Sequence, residues 1–390
     1  MATTTDIRPT SDHSHVALER LARLESYLIT DPANQQLISD AFDTAIAAGK
    51  FDRAETLLER GRRDATDFSA WAFRESNLRI AQRRLEDASA LLQSLQEHLG
   101  LHPAIGQNLA NIAFLQQRFA DSRSLLQPFA NAEDATANDS SLQVLWLRTL
   151  HRLNALQDAL DWCDRHMKAG TLSPAAAGVA SLICIDADRI ALAKRLSEGS
   201  LSANPEQMEA LAARATVALA ERDPAEAKRQ LEKALRINPE DGRSWSALGL
   251  ANLLAGEVEQ AVQDFRRAVN FMPSHIGTWH GLGWAHLMRR DLKEAHHAFE
   301  TALSLDRNFA ESHGALAVVQ AMTGQRESAM ESIERAMRLD KAGLSARYAE
   351  AILSGTADNA EAMQILAQRI LGDRKATPLG GTTADWLFKH

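Results

Sequence analysis

Apolar and polar positions alternate along this chain with the period of an α-helix. Residues 16–29 give the simplest example, an amphipathic helix with one apolar stripe. The leucines on or near that stripe are Leu18, Leu21, Leu24 and Leu28. Alanine is abundant, and runs rich in Val, Ile and Thr are nearly absent. The pattern therefore predicts an all-helical protein without sheets, preceded by a polar, disordered segment over residues 1–15.

The pattern also repeats itself in the C-terminal half. Four residue types return after 34 residues: Trp245, Gly249, Ala261 and Phe265, then Trp279, Gly283, Ala295 and Phe299. Glycine inside a helix costs about 1 kcal/mol relative to alanine, so two glycines at one position indicate close helix packing. Large rings opposite small residues predict pairs of antiparallel helices that interlock.

The same positions can be followed from residue 208 to residue 343, with Arg307 where a proline is expected and a weaker final copy. This order of Trp, Leu-Gly, Ala, Phe, Ala and Pro resembles the tetratricopeptide repeat family. The resemblance implies an all-α fold, a right-handed superhelical solenoid of antiparallel helix pairs in which each repeat contacts only its neighbours.

Four short motifs predict where helices begin. Asn204-Pro205 and Asn238-Pro239 place a capping side chain before a proline at the first helical position. Asp223-Pro224-Ala225-Glu226 and Asp291-Leu292-Lys293-Glu294 do so at the second helix of a repeat. In both of these a glutamate stands where it can close a capping box.

The repeat weakens toward the N-terminus but keeps its shape. Gly49 and Ala54 fit the turn and small positions of a degenerate repeat, and Ala88 fits the small position one period later. We expect about nine or ten helical hairpins in the whole chain. The polar stretch at residues 130–141 predicts a long loop, a candidate joint between two stacks.

We accordingly divide the chain into five segments. They are a disordered N-terminus at 1–15, a degenerate helical-repeat segment at 16–170, tetratricopeptide repeats at 171–343, C-terminal capping helices at 344–372 and a flexible tail at 373–390. The tail ends in an apolar cluster at residues 384–388. Three interpretations stay open for it: it plugs the groove of its own chain, it docks on another protein, or it is a frayed end.

Charge and cysteine content narrow the classes of partner. The chain has 43 basic and 51 acidic residues and a net charge of −8, mixed along the helices, so we expect no nucleic-acid partner. We also expect a cytoplasmic protein without a membrane span, because the chain has no long apolar run and no secretory leader. Cys163 and Cys184 lack the spacing of a zinc or disulfide motif, which indicates buried, inert thiols.

The resemblance also implies where a partner binds. In the family, the second, fifth, ninth, twelfth and thirteenth positions of each repeat face the concave side. On this chain the predicted partner-binding residues are Arg243, Ser246, Leu250, Leu253, Leu254, His280, Trp284, Leu287, Met288, Val318 and Met322. We call these eleven residues the first-helix face. Gly277, Glu311, Gly314 and Ala321 occupy the remaining inward positions.

The first-helix face is mostly apolar, so it predicts a protein or peptide partner that is an amphipathic helix or an extended apolar segment. Three or four buried anchors supply roughly 5 to 10 kcal/mol gross, which ordering costs reduce to an affinity on the order of micromolar. The alternative is that Leu250, Trp284 and Met288 pack between neighbouring helices or against the chain's own end.

Two known specialisations of the family do not fit this chain. A carboxylate clamp uses lysine and asparagine at the fifth and ninth positions, where this chain has Ser246 and Leu250. An asparagine ladder uses the sixth position, where this chain has Ala247 and Gly281. The resemblance therefore supports neither type of ligand.

No catalytic, metal or cofactor site is predicted. Six histidines cluster in the sequence, but no two stand three or four residues apart on one helix: His275, His280, His286, His296, His297 and His313. Cys163 and His166 share a helical face as a nucleophile and a base do, yet a third orienting group and an oxyanion donor are missing. Neither Gly281-Leu282-Gly283 nor Gly380-Gly381-Thr382-Thr383 fits a phosphate loop.

The sequence thus predicts a non-catalytic protein- or peptide-binding scaffold or adaptor, possible in a chaperone-like form. Two alternatives stay open. One is an assembly factor of a secretion or envelope system, and the other is a regulatory or substrate-recruiting subunit of a separate enzyme.

Overall fold

The fold is that of a computed structural model, which describes residues 11–63, 67–132 and 135–356. These residues form twenty α-helices and one 3-10 helix (Ala135–Asn138), and no strand is found among them. The prediction of an all-α fold is therefore confirmed. The helices are α1 (Ser11–Thr30), α2 (Gln35–Ala47), α3 (Phe51–Arg63), α4 (Phe68–Ala81), α5 (Leu85–Leu99), α6 (Pro103–Leu115), α7 (Phe119–Ala130), α8 (Ser140–Arg152), α9 (Leu156–Ala169), α10 (Pro174–Asp186), α11 (Ile190–Ala203), α12 (Met208–Ala220), α13 (Pro224–Ile237), α14 (Gly242–Leu254), α15 (Val258–Phe271), α16 (Ile276–Met288), α17 (Leu292–Leu305), α18 (Ala310–Met322), α19 (Arg326–Leu339) and α20 (Leu344–Leu353).

The ends of the chain differ from their predictions or lie outside the description. Helix α1 begins at Ser11, inside the segment 1–15 that we expected to be disordered. Adding residues to a helix that has already formed costs little, so polar residues can extend it. Residues 1–10, the capping helices predicted after residue 356 and the tail at 373–390 lie outside the described residues.

The described chain forms two compact units, residues 11–179 and residues 180–356. The division falls inside α10. In each unit, helices that follow one another in the chain pack side by side as hairpins. The prediction of a joint at residues 130–141 is wrong. That stretch lies inside the first unit, where the end of α7, the 3-10 helix and the start of α8 occupy most of it.

Each hairpin closes through one residue in the left-handed conformation, and this residue recurs every 34 positions. Nine such residues close nine hairpins in the described part of the chain: Gly49, Arg83, Gln117, Asn154, Asp188, Arg222, Gly256, Arg290 and Gly324. The step from Gln117 to Asn154 is the exception, since it contains three additional residues. The residue after each of them donates its N–H to a carbonyl five positions earlier, as Glu257 does to Asn252 at 2.8 Å, which satisfies the helix end.

The interlocking of large rings with glycines is confirmed. A Cβ atom on Gly249 would lie 2.8 Å from the ring of Phe265, and one on Gly281 would meet the same ring. Phe265 therefore fills the space between two successive repeats, with its own repeat on one side and the next on the other. Gly283 receives Phe299 in the same way. Only glycine leaves room for these rings at this helix separation.

A second recurring contact fixes the turn between repeats. The indole N–H of Trp245 donates to the carbonyl of Pro239, and that of Trp279 donates to the carbonyl of Pro273, both at 2.8 Å. In the fourth copy, Arg347 donates to the carbonyl of Lys341 at 3.2 Å. The same spacing of six residues therefore joins each first helix to the turn before it.

The predicted helix starts hold at one motif. Asp223 is the N-cap of α13, its carboxylate accepts from the N–H of Glu226, and Pro224 is the first helical residue. The glutamate does not close a capping box, because its carboxylate accepts from Arg229 and Gln230 instead.

The other three motifs are corrected. Asn204 and Asn238 end α11 and α13, and each side chain accepts from an N–H two residues later within the turn. The helices that follow start later, at Met208 and Gly242. Asp291 precedes α17 but makes no capping bond, because its carboxylate lies 3.2 Å from Nδ1 of His286.

Candidate functional site

The first-helix face lies on α14, α16 and α18 of the second unit, where α14 and α16 are in contact. Two of its residues are not surface at all. Leu287 is 7% exposed and Val318 is fully buried. Both belong to a core cluster with Phe299 and Ala346, because the following helices cover that side of α16 and α18. Their prediction as partner-binding residues is therefore wrong.

Four apolar residues of the face are half-buried. Leu250 and Leu253 pack on a core cluster that contains Phe265, and Leu250 and Leu254 pack on the cluster around Ala251. Trp284 packs on the cluster that contains Phe299. These residues serve the core and still present part of their side chains outward, so packing between helices accounts for part of the predicted groove.

The remaining apolar residues of the face are open to solvent. Met288 is 56% exposed and Met322 is 40% exposed. Both stand at the thirteenth position of their repeats, as half-buried Leu254 does in the repeat before. The three residues form an apolar column at the ends of α14, α16 and α18. We call Leu254, Met288 and Met322 the thirteenth-position column.

An aromatic cluster lies beside this column. The rings of Trp284 and Tyr348 stack with their centroids 6.4 Å apart, and Trp284 meets the buried Phe299 edge-on at 5.8 Å. His280 contacts Phe299 and the exposed Phe309, each at 5.5 Å. Tyr348, on α20, completes the cluster and was missed by the sequence analysis. The weak final repeat gave no signal for it beyond its place at a fifth position.

The polar atoms of these two stacked rings are unused. Within the part of the chain that the structure describes, neither Nε1 of Trp284 nor the hydroxyl of Tyr348 has a hydrogen-bond partner, and neither atom is buried. The indole of Trp279, by contrast, donates to a backbone carbonyl. A partner placed on Trp284 and Tyr348 therefore meets apolar ring surface together with two free donors.

The polar residues of the face have partners inside the protein. Ser246 accepts from the hydroxyl of Thr278 at 3.3 Å, and Nε2 of His280 lies 2.8 Å from the hydroxyl of Ser312. Burial lowers the pKa of His280, against the opposing charge of Glu311. His280 is thus a neutral packing residue near pH 7, where an acid–base role needs a ring open to substrate.

A buried polar pair between α14 and α15 also escaped the sequence analysis. Asn252 and Asp264 are 1% and 0% exposed, and Nδ2 of Asn252 donates to Oδ2 of Asp264 at 2.6 Å. Gln260 donates to the other carboxylate oxygen. Burial raises the pKa of Asp264, which these hydrogen bonds only partly offset. The pair lies between the two helices of one hairpin, so it affects folding rather than the outer face.

The cysteine–histidine pair has a structural explanation. Cys163 is 2% exposed, and the ring of His166 stacks on Trp162 with the centroids 3.8 Å apart. Nδ1 of His166 lies 2.8 Å from the hydroxyl of Thr171. The thiol is closed to substrates, and the ring belongs to the end of α9. Burial raises the pKa of the other thiol, Cys184, to about 12.

Two further classes of site were searched. In residues 11–63, 67–132 and 135–356, no three His, Cys, Asp or Glu side chains group closely enough to hold a metal ion. No helix in the same ranges combines the length and apolar character that crossing a membrane needs.

Comparison with known proteins supports the repeat assignment. Profiles described as tetratricopeptide repeat match residues 188–275 and residues 277–309. A search of curated proteins returns no significant match. Among solved structures, a monomeric mutant of IFIT1 with m7Gppp-AAAA covers 93% of this chain and 92% of its own, at 12% identity and a TM-score of 0.54. That likeness extends the helical-repeat fold to the whole chain.

Shorter tetratricopeptide repeat structures match parts of the chain. PilF of Pseudomonas aeruginosa covers 52% of this chain and 93% of its own, at 18% identity and a TM-score of 0.42. YrrB, described as a TPR protein with an unusual peptide-binding site, covers 58% of this chain and 98% of its own, at 19% identity and a TM-score of 0.37.

Proposed function

We propose that this protein, whose residues 188–309 are tetratricopeptide repeats, is a non-catalytic scaffold that binds a segment of another protein. The segment lies on the exposed part of the first-helix face, along the thirteenth-position column and the Trp284–Tyr348 stack. Repeats of this family hold protein partners on the surface formed by their first helices. The scaffold acts as an adaptor that brings its partner to another component of the cell.

One observation carries this proposal. Met288 and Met322 keep 56% and 40% of their surface exposed at the same position of successive repeats. Methionine side chains are flexible and polarizable, and they are common on surfaces that accept varied apolar partners. The half-buried Trp284 adds a large, rigid ring with a free indole N–H, which is the kind of residue that anchors a bound segment.

The geometry favours a helix or extended segment over a small molecule. The exposed apolar groups belong to three consecutive first helices, and such neighbouring helices pack about 8–10 Å apart. A segment lying across them contacts one anchor per repeat. The face is a shallow surface, whereas small-molecule sites enclose most of their ligand.

A displayed library of random 16-residue peptides tests the proposal. The purified protein is used to select binders, and the affinities of the enriched peptides are measured by fluorescence anisotropy. The double variant M288S/M322S is expected to weaken binding at least tenfold, because it removes two exposed apolar anchors. Variant M330S is the matched control, since Met330 is 55% exposed on the second helix α19.

The two variants and the wild type must first show the same helical circular dichroism and thermal midpoint. If no peptide is enriched over an empty support, the protein does not bind segments of this kind and the proposal fails. Undiminished affinity in M288S/M322S would place the site elsewhere on the molecule.

A further inference from the structure

The charged groups at the two edges of the first-helix face differ in how they are engaged. The edges are the starts of α14, α16 and α18 and the turns that follow these helices. Three carboxylates lie there, and each contacts a group of the protein: Glu257, Asp291 and Glu311. Glu257 pairs with Lys228 at 2.7 Å, and Asp291 lies 3.2 Å from the imidazole of His286.

Glu311 is the most completely engaged of the three. Its carboxylate accepts from the backbone N–H of Leu344 at 2.9 Å and from the N–H and hydroxyl of Ser345. These groups are the start of α20, so the carboxylate occupies the positive end of a helix dipole. Its negative charge is balanced inside the protein and is not offered to a partner.

The basic groups at the same edges are free. Arg243 lies at the start of α14, and Arg289 and Arg290 follow α16. All three are exposed, and none of their side chains has an ion pair or hydrogen bond within the described ranges. Lysine and arginine side chains are common on any surface, but here the carboxylates are engaged and the arginines are not.

The position of these arginines relative to the apolar column is fixed. Arg289 and Arg290 follow Met288 directly in the chain, and the backbone of Arg290 is held in the left-handed conformation at φ 59° by the hairpin turn. Arg243 lies at the opposite end of a first helix. An apolar strip is therefore bordered by guanidinium groups at both edges.

From this complementarity we propose that the bound segment is acidic and amphipathic, with carboxylate side chains that flank its apolar anchors. The apolar side covers the thirteenth-position column and Trp284, while the carboxylates reach Arg243 at one edge and Arg289 and Arg290 at the other. Arginine recognises a carboxylate through two parallel N–H···O bonds, which also fixes the register of the segment. This inference rests on the proposed function.

The peptide library described above, applied to a matched set of proteins, tests the inference. The first protein is the wild type, and the second is the charge-reversed variant R243E/R289E/R290E. The third is the control K233E/R236E/R335E, which changes the net charge equally on the second helices α13 and α19. The residues altered in the control are exposed, so all three proteins are expected to fold alike.

Peptides enriched on the wild type and on the control are expected to carry an excess of Asp and Glu beside their apolar residues. Those enriched on the charge-reversed variant are expected to carry Lys and Arg instead. An individual acidic peptide should bind R243E/R289E/R290E at least tenfold more weakly than it binds the control. Raising the NaCl concentration should weaken its binding to the wild type, because salt screens exposed charges.

The failures can be told apart. Enriched peptides without a charge bias, or with the same bias on the charge-reversed variant, overturn the acidic partner and leave the scaffold function in place. A library from which no peptide is enriched overturns both.

Discussion

Nε2 of His313 donates a hydrogen bond of 2.9 Å to the carbonyl oxygen of Arg307. These two residues stand where the preceding repeats have tryptophan and proline, as in the pair of Trp279 and Pro273. The weakened repeat has therefore kept the contact while changing both residues. What the fold requires at this position is a donor that reaches the turn.

Removing that donor is expected to destabilise the second unit. Variant H313A should lower the free energy of unfolding by about 1 kcal/mol relative to H297A, because a side-chain hydrogen bond contributes about that much. His297 is an exposed helical residue on α17, so the control absorbs the change in helix propensity. Urea denaturation followed by circular dichroism gives both values. Equal stability of the two variants would show that the contact to Arg307 contributes nothing.

The same glycine substitution is expected to act in opposite directions at two sites. Variant G283A should destabilise by about 1 to 3 kcal/mol, because the new methyl group overlaps the ring of Phe299. Variant G199A should stabilise by about 1 kcal/mol, since Gly199 lies inside α11 with no atom near its added Cβ. Thermal and urea unfolding measure both. A stabilising G283A would mean that the ring has room to move.

The left-handed turn residues that are not glycine carry strain that glycine relieves. Variant Q117G is expected to stabilise by about 0.5 to 1 kcal/mol, because Gln117 has φ 61° and glycine adopts this conformation without cost. Variant Q93G, at an exposed position inside α5, should lose about 1 kcal/mol. Comparing the two midpoints in urea gives the sign directly. If Q117G loses stability as Q93G does, the turn does not strain its glutamine.

The buried Asp264 predicts a dependence on pH. Its pKa is raised by burial, so the folded state holds this proton more tightly than the unfolded state does, and the ionised form costs stability at neutral pH. Variant D264N should stabilise by about 1 kcal/mol at pH 7, because Oδ1 of Asn252 is unsatisfied and a flipped Asn252 can accept from the new amide.

The gain from D264N should shrink as the pH falls through the raised pKa of Asp264 toward the ordinary aspartate value. There the wild-type carboxyl becomes neutral in the folded state as well. Urea titrations between pH 7 and pH 4 follow the difference, and E259Q on the exposed side of the same helix controls for the loss of a carboxylate. A gain that is constant with pH would assign it to packing.

Sequence reasoning located the second unit because its contacts use distinctive residues. Trp245, Gly249 and Phe265 form a pattern that has to be read one way, since each large residue needs its small partner. In the first unit the large and small residues have changed places. There Trp71 of α4 fills the space at Gly61 of the preceding helix, which conserves volume but breaks the pattern.

The turns of the first unit were hard to see for a related reason. Arg83 and Gln117 occupy left-handed positions that glycine marks elsewhere, so the sequence carried no turn signal at them. The three additional residues before Asn154 then shifted the period, and the search for exact repeats lost its register.

The candidate site was predicted only in part because repeat position does not determine exposure. Leu287 and Met288 are adjacent, and both were assigned to the face, yet the first is covered by the next repeat and the second is open. What covers a residue depends on the separation of the following helices, which tertiary packing decides. The free donors of Trp284 and Tyr348 depend on the same packing.

From Asn154 to Gly324, six hairpin turns follow one another at an unbroken spacing of 34 residues. A stretch of that length removed anywhere between them would bring together two chain ends that already have matching turns, matching helix lengths and the same closing hydrogen bond. This part of the gene can therefore gain or lose whole modules by duplication or excision without a frameshift in structure, so the length of the protein is open to change by single recombination events.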